Sequence, residues 1–177
     1  MFFNQNNLKM KKSISILFLL FFTFAFAQKS IPEVIKQYNK NSVPYITVEE
    51  ANKKLNSILF LDARELEEFN VSHLENAIHV GYQKFDTDLL LKAIPNKQTS
   101  IVVYCSIGVR SEDIGEKLIQ LGYTNVKNLY GGIFEWKNKN YTVINRNGEV
   151  TEEVHAFSKT WGKYLLKGIK IYNQNKK

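Results

Sequence analysis

The passage that most constrains this chain is Ile101-Val102-Val103-Tyr104-Cys105-Ser106-Ile107-Gly108-Val109-Arg110-Ser111. Its first four residues, three of them β-branched and one aromatic, read as a buried strand. The run ends at the only cysteine in the chain. A loop with one glycine and one arginine follows. At Ser111 a helical pattern starts, with Ile114, Leu118 and Leu121 on one face and Gly122 as its stop. Strand, tight loop and helix in that order make half of a parallel α/β unit.

The flanking sequence repeats the alternation. Thr47-Val48-Glu49-Glu50 is a capping box opening a helix to about residue 55. Ile58-Leu59-Phe60-Leu61, closed by Asp62, is a short apolar strand, and residues 65–70 form a short acidic helix. Ala77-Ile78-His79-Val80 is a further strand, ended by Gly81. Residues 86–93 read as a helix stopped by Pro95, and residues 126–129 as a strand. Gly131-Gly132 makes a tight turn before a short helix over residues 133–137. The expected fold is α/β: a mostly parallel central sheet with helices on both faces.

Both ends lie outside that pattern. Lys9, Lys11 and Lys12 precede a nearly all-apolar stretch over residues 14–26, and Ala25-Phe26-Ala27 supplies small residues at the positions a signal peptidase reads. This is the three-part form of a secretory signal. The stretch has about 13 residues, short of the roughly 20 that span a bilayer, which disfavours an uncleaved anchor. Cleavage after Ala27 would take the formal charge from +7 to +4. The expected location is periplasmic or secreted, with no stable membrane span after processing. A charge that modest, with no arginine stripe, argues against nucleic acid and is compatible with small anions. Past Tyr141, residues Val154, Phe157, Trp161, Leu165 and Tyr172 recur at roughly helical spacing, with Lys159, Lys163, Lys167 and Lys170 on another face. The expectation is a C-terminal helical extension docked by its aromatic face, rather than a basic helix on a membrane. The division is then a signal peptide at 1–27, a lead-in at 28–45, the α/β domain at 46–144 and the helical extension at 145–177.

A lone thiol in an exported chain forms no internal disulfide. Cys105 sits where a strand gives way to a Gly/Arg loop, a place for a reactive sulfur rather than an inert core one. A helix N-terminus and a cation lower a thiol's pKa, and the N–H groups of Ser106, Ile107, Gly108, Val109 and Ser111 can converge on the sulfur as an anion nest. Gly108 permits the positive φ that such a ring can need. Arg110 either aims at the anion or braces the loop.

Four stretches together resemble the single-domain rhodanese family. They are Leu61-Asp62-Ala63-Arg64-Glu65-Leu66-Glu67-Glu68-Phe69, Ser72-His73-Leu74-Glu75-Asn76-Ala77-Ile78-His79-Val80, the loop from Cys105 to Ser111, and Leu129-Tyr130-Gly131-Gly132-Ile133-Phe134-Glu135-Trp136. Their order and spacing follow the family's, over about residues 47–143. Ser72 and Asn76 depart from common glycines, and Ser106 from a common arginine, which removes a positive charge from the loop. The resemblance implies a sulfurtransferase that works through a Cys105 persulfide, with Arg64 at the anionic substrate or supporting the loop. The alternative for Arg64 is an ion pair with Glu67 or Glu68. The implied partners are a sulfane donor such as thiosulfate and a thiol or cyanide acceptor, or else a protein acceptor or reductant. No metal and no organic cofactor is needed. His73, His79 and His155 lack metal-ligand spacing, and Trp136 reads as core. Two rivals remain. One is a sulfur carrier or binding module without turnover. The other is a cysteine phosphatase, whose loop holds five residues between cysteine and arginine where this one holds Ser106, Ile107, Gly108 and Val109 alone.

Overall fold

A computed structural model describes residues 30–173 of the 177. The segment at 1–27, read as a signal peptide, lies outside the described residues. Helix α1 (Ile31–Tyr38) leads in, with Pro32 in its first turn and the Glu33 carboxylate accepting from the Ser30 N–H at 2.6 Å. Then come β1 (Tyr45–Ile46), α2 (Val48–Asn52), β2 (Leu59–Asp62), α3 (Leu66–Val71), β3 (Ile78–His79) and α4 (Thr87–Ala93). The second half holds β4 (Ile101–Tyr104), α5 (Arg110–Gln120), β5 (Val126–Leu129) and α6 (Gly132–Asn138). The capping box at Thr47 forms as expected: Thr47 Oγ1 accepts from the Glu50 N–H and Glu50 accepts from the Thr47 N–H.

The five strands form one sheet in the order β1-β5-β4-β2-β3, and every neighbouring pair is parallel. The central strand β4 shows why the sequence had to fold this way. Its alternate side chains feed two cores: Val102 and Tyr104 join Phe60, Leu129 and Trp136 on one face, while Ile101 and Val103 join Leu61, Ile114 and Leu118 on the other. All four β4 residues are buried, which only a strand covered on both faces achieves. Burying one such valine or isoleucine contributes about 1.5–3 kcal/mol. Trp136 is core, as expected, with its Nε1–H donating to the Thr142 carbonyl at 2.9 Å.

The tail departs from expectation. The described residues 145–173 do not form the helical extension expected for 145–177. The described part makes short strands β7 (Val150–Thr151), β8 (Glu153–His155) and β9 (Ile169–Ile171) and one four-residue helix, α7 (Lys159–Gly162); β7 pairs with β6 (Val143–Ile144), and β8 with β9. Two features break the helical spacing. The tail is rich in β-branched residues at 150–154 and 169–171, which favour strands. Phe157 and Gly168 take positive φ, which interrupts any continuous helix. The tail still docks, but through aliphatic residues rather than an aromatic face: Val154 and Leu165 are fully buried while Phe157 and Tyr172 are exposed, β8 packs on α3, and Lys137 pairs with Glu152 at 2.7 Å. Among the described residues no helix is long and apolar enough to cross a membrane.

Candidate active site

Cys105 leaves the C-terminal end of β4, and α5 starts five residues later at Arg110. The Gly108 N–H donates to the Cys105 sulfur at 3.2 Å, and the Ser111 hydroxyl stands 3.5 Å from it. Burial alone pushes the thiol up. The Arg110 charge, then the Ser111 hydroxyl, then the Ser111 and Gly108 N–H groups pull it the other way, and the thiol ends below its ordinary value. Of the loop N–H groups expected to converge on the sulfur, those of Gly108 and Ser111 act on it. The sulfur is nonetheless covered: Cys105 is only 2% exposed.

Arg110 braces rather than waits. Its Nη1 and Nη2 donate to the two oxygens of Glu68 at 2.7 and 2.9 Å, and Nη2 also reaches Ser106 Oγ at 3.1 Å. Burial favours the neutral forms of both groups, yet their pairing dominates. Glu68 is held below the usual carboxylate range and Arg110 above its usual one. Ser106 closes the triangle by donating to Glu68 at 3.3 Å. Where an arginine at position 106 would add charge, the serine instead ties loop to helix α3.

Arg64 is not at the sulfur. It is fully buried, forked onto Asp62 with Nη2–Oδ2 at 2.6 Å, and Nη2 also donates to the Ser72 carbonyl at 2.6 Å. The ion pair it makes is with Asp62, two residues back, rather than with Glu67 or Glu68. It holds the turn after β2 against the segment after α3, so its part is to brace the frame.

Two further residues hold the loop, and the sequence reading named neither. Asn128, buried in β5, donates through Nδ2 to the Gly108 carbonyl at 2.8 Å and accepts from the Ser111 hydroxyl at 2.8 Å. Ser111 has one hydroxyl proton, so it serves either Asn128 or the sulfur. Asn39, just past α1, gives the Gly108 carbonyl a second donor at 2.8 Å. Gly108 itself has φ +119°, a conformation suited to glycine. Below the loop, the first N–H groups of α6 take its carbonyls: Ile133 donates to Cys105 at 2.9 Å and Phe134 to Ser106 at 3.1 Å. Gly132 makes that approach possible, since a Cβ there would overlap the Cys105 carbonyl. The signal for this pair was present in the Gly131-Gly132 turn.

A cavity of about 150 Å³ opens onto Cys105. Ile107, Val109 and Arg110 of the loop form one wall, and Tyr38, Phe157 and Trp161 the other. A larger cavity of about 620 Å³ lies among α3, β3 and α4, lined by Glu65, His79, Lys84 and Leu89 among others, and Cys105 takes no part in it. The histidines serve the frame. His73 Nδ1 lies 3.1 Å from the Phe69 carbonyl, His79 Nε2 2.9 Å from the Arg64 carbonyl, and His155 Nε2 3.0 Å from Asn173 Oδ1.

A five-stranded parallel sheet with a lone, acidified cysteine in the loop between its central strand and the next helix defines a cysteine-loop α/β domain. Residues 47–139, more than half of the chain, match the model of the rhodanese-like domain, and the chain belongs to that family. It is 29% identical to rhodanese-like domain-containing protein 17 of Arabidopsis thaliana over 151 residues, which cover 78% of this chain and 92% of the plant protein. It is 36% identical to tRNA uridine(34) hydroxylase of Photorhabdus laumondii over 100 residues, 54% of this chain but 28% of that protein. Among solved structures, a rhodanese-related protein from Thermoplasma volcanium superposes with a TM-score of 0.51 at 26% identity, covering 57% of this chain and 97% of the other.

Proposed function

We propose that the chain is an exported sulfurtransferase that moves a sulfane sulfur from a donor such as thiosulfate to a thiophilic acceptor through a persulfide on Cys105. The observation that carries this reading is the sulfur's setting: a thiol pulled below its ordinary value, with the Gly108 N–H at 3.2 Å and the Ser111 hydroxyl at 3.5 Å, in a loop whose backbone is fixed by Asn128 and α6. The thiolate attacks the outer sulfur of thiosulfate. A new S–S bond forms, the old one breaks, and sulfite leaves with its electron pair. The loop's donors then stabilise the terminal charge, in the manner of an oxyanion hole. An acceptor thiolate or cyanide attacks that outer sulfur, and Cys105 departs again as thiolate. No proton need move in either half.

The Glu68–Arg110 pair favours sulfur transfer over phosphate chemistry. A phosphatase arginine must be free to fork onto a phosphoryl group, and Arg110 is forked onto Glu68. The tRNA hydroxylation in a relative's name concerns a protein of which this chain matches 28%, and the proposed transfer does not depend on it. Export rests on the pattern from Lys9 to Ala27. Treating the purified chain with sulfane donors should add one sulfur mass to the peptide holding Cys105, and none to Cys105→Ser. A wild-type protein that gains no sulfur from any donor would remove the proposal.

A further inference from the structure

We propose that the preferred sulfur donor is a small organosulfur compound bearing one ring-sized apolar group, an arenethiosulfonate or an organic persulfide, rather than the thiosulfate dianion. This rests on the sulfur-transfer reading above and specifies its substrate class. The first observation is the mouth itself. Tyr38, Phe157 and Trp161 face Ile107 and Val109 across a cavity of about 150 Å³. A cavity of roughly that size has room for one benzene-sized ring. It is too small for a protein loop or a nucleotide.

The second observation is charge. Arg110 is the one cation in that lining, and both its Nη atoms are engaged by Glu68, with Ser106 taking a further bond. The ring of Phe157 lies 4.9 Å from its guanidinium carbon. Arg64 is buried on Asp62. A dianion entering here would give up water for an apolar wall and a cation whose charge a carboxylate already balances, which is costly. A donor with a ring and a single delocalised charge loses less and gains contact with three aromatic faces.

The third observation is strain. Phe157 is held at φ +62°, a conformation that a bulky residue rarely adopts. Its N–H donates to His155 Nδ1 at 3.2 Å, and the Ser158 N–H turns back to the Ala156 carbonyl at 2.7 Å. This local turn sets the ring over Arg110 while leaving it 47% exposed. Burial does not account for a costly backbone that supports a half-exposed ring at the rim of a nucleophile's cavity, and binding does. Tyr38, 53% exposed, packs its ring 5.7 Å from that of Trp161 and completes the wall.

With an arenethiosulfonate, Cys105 thiolate bonds to the outer sulfur and the bond to the sulfonyl sulfur breaks. Arenesulfinate leaves with the electron pair, and no proton is transferred. The test measures the single-turnover rate of Cys105 persulfidation with benzenethiosulfonate, methanethiosulfonate and thiosulfate. Each rate is divided by the same donor's rate with N-acetylcysteine thiolate. The normalised rate should be about tenfold or more higher for the benzene than for the methane donor, and lowest for thiosulfate. Phe157→Gly, which suits the positive φ, should bring the benzene-to-methane ratio within about twofold, and Tyr38→Ala should lower it in the same direction. Equal normalised rates for the two thiosulfonates, faster thiosulfate, or a ratio that survives both substitutions would overturn the ring-sized site while leaving sulfur transfer standing. A Cys105 that takes sulfur from none of the three would remove the sulfurtransferase reading itself.

Discussion

The N–H and hydroxyl donors that face the Cys105 sulfur, on Gly108 and Ser111, come from the same strand, loop and helix as the cysteine, whereas the rings that cover it, Tyr38, Phe157 and Trp161, come from segments before residue 47 and after residue 139. Apart from Asn39, which reaches the Gly108 carbonyl from before residue 47, the inner region lies within the span that matches the family; the outer one lies wholly outside it. The two differ in kind as well as origin. Inner groups are polar, buried and hydrogen-bonded to one another, so moving one disturbs the rest. Outer groups are apolar and partly exposed, so each can change almost alone. The comparison separates what acidifies the sulfur from what selects the molecule that reaches it.

The inner region should therefore be fragile, and the sharpest probe is Glu68→Ala. It leaves Arg110, 17% exposed, with no carboxylate, and breaking a buried pair from one side typically costs about 3–5 kcal/mol. The residual exposure of Arg110 places the expected loss at the lower end of that range. Urea unfolding of the variant checks it, and a change below about 1 kcal/mol would contradict the tight coupling described for the inner region. Asn128→Leu comes next. It strips the Gly108 carbonyl and the Ser111 hydroxyl of a partner each, for a loss of about 1–3 kcal/mol by the same measurement.

A smaller effect should appear in titration. Iodoacetamide alkylation of Cys105 should reach half its maximal rate below the roughly 8.5 of a free thiol, since the native value is the lowered one. In Arg110→Gln the inflection should move upward, because the largest acidifying influence is gone. An inflection that stays put would assign the shift to the backbone donors instead. The linkage runs in a definite sense. A lowered native value means that ionisation supports the fold above the ordinary thiol pKa, and this support fades as pH falls through the native value.

The inner region was legible in the sequence because its parts are neighbours in the chain. Strand, cysteine, glycine and helix occur within eleven residues, the strands at residues 58–62 and 101–104 were read from their apolar runs, and that at 126–129 was read as the next in the alternation. The Gly131-Gly132 turn carried its own signal. Glu68 was less visible, since its partner Arg110 lies 42 positions away and the nearer arginine, Arg64, offered a plausible mate. Arg64 took Asp62 instead, because a two-residue turn brings that carboxylate within reach at no cost in chain closure. Asn128 carried little signal, since it follows Lys127 in a strand that holds only two apolar residues. The outer region was not legible. Its rings meet across more than a hundred residues, and aromatic spacing in the tail mimicked a helix that positive φ at Phe157 and Gly168 prevents. Helix α1 and strand β1 were likewise missed, the one in a lead-in to which no element was assigned and the other only two residues long.

The central sheet closes on each side with a strand of two residues, β1 and β3. A neighbouring molecule seeking to extend the ladder would find only a short rung or two of unpaired amides at either margin. At high concentration this domain should resist the side-to-side zippering that longer margins invite, and an insertion lengthening either margin would weaken that resistance.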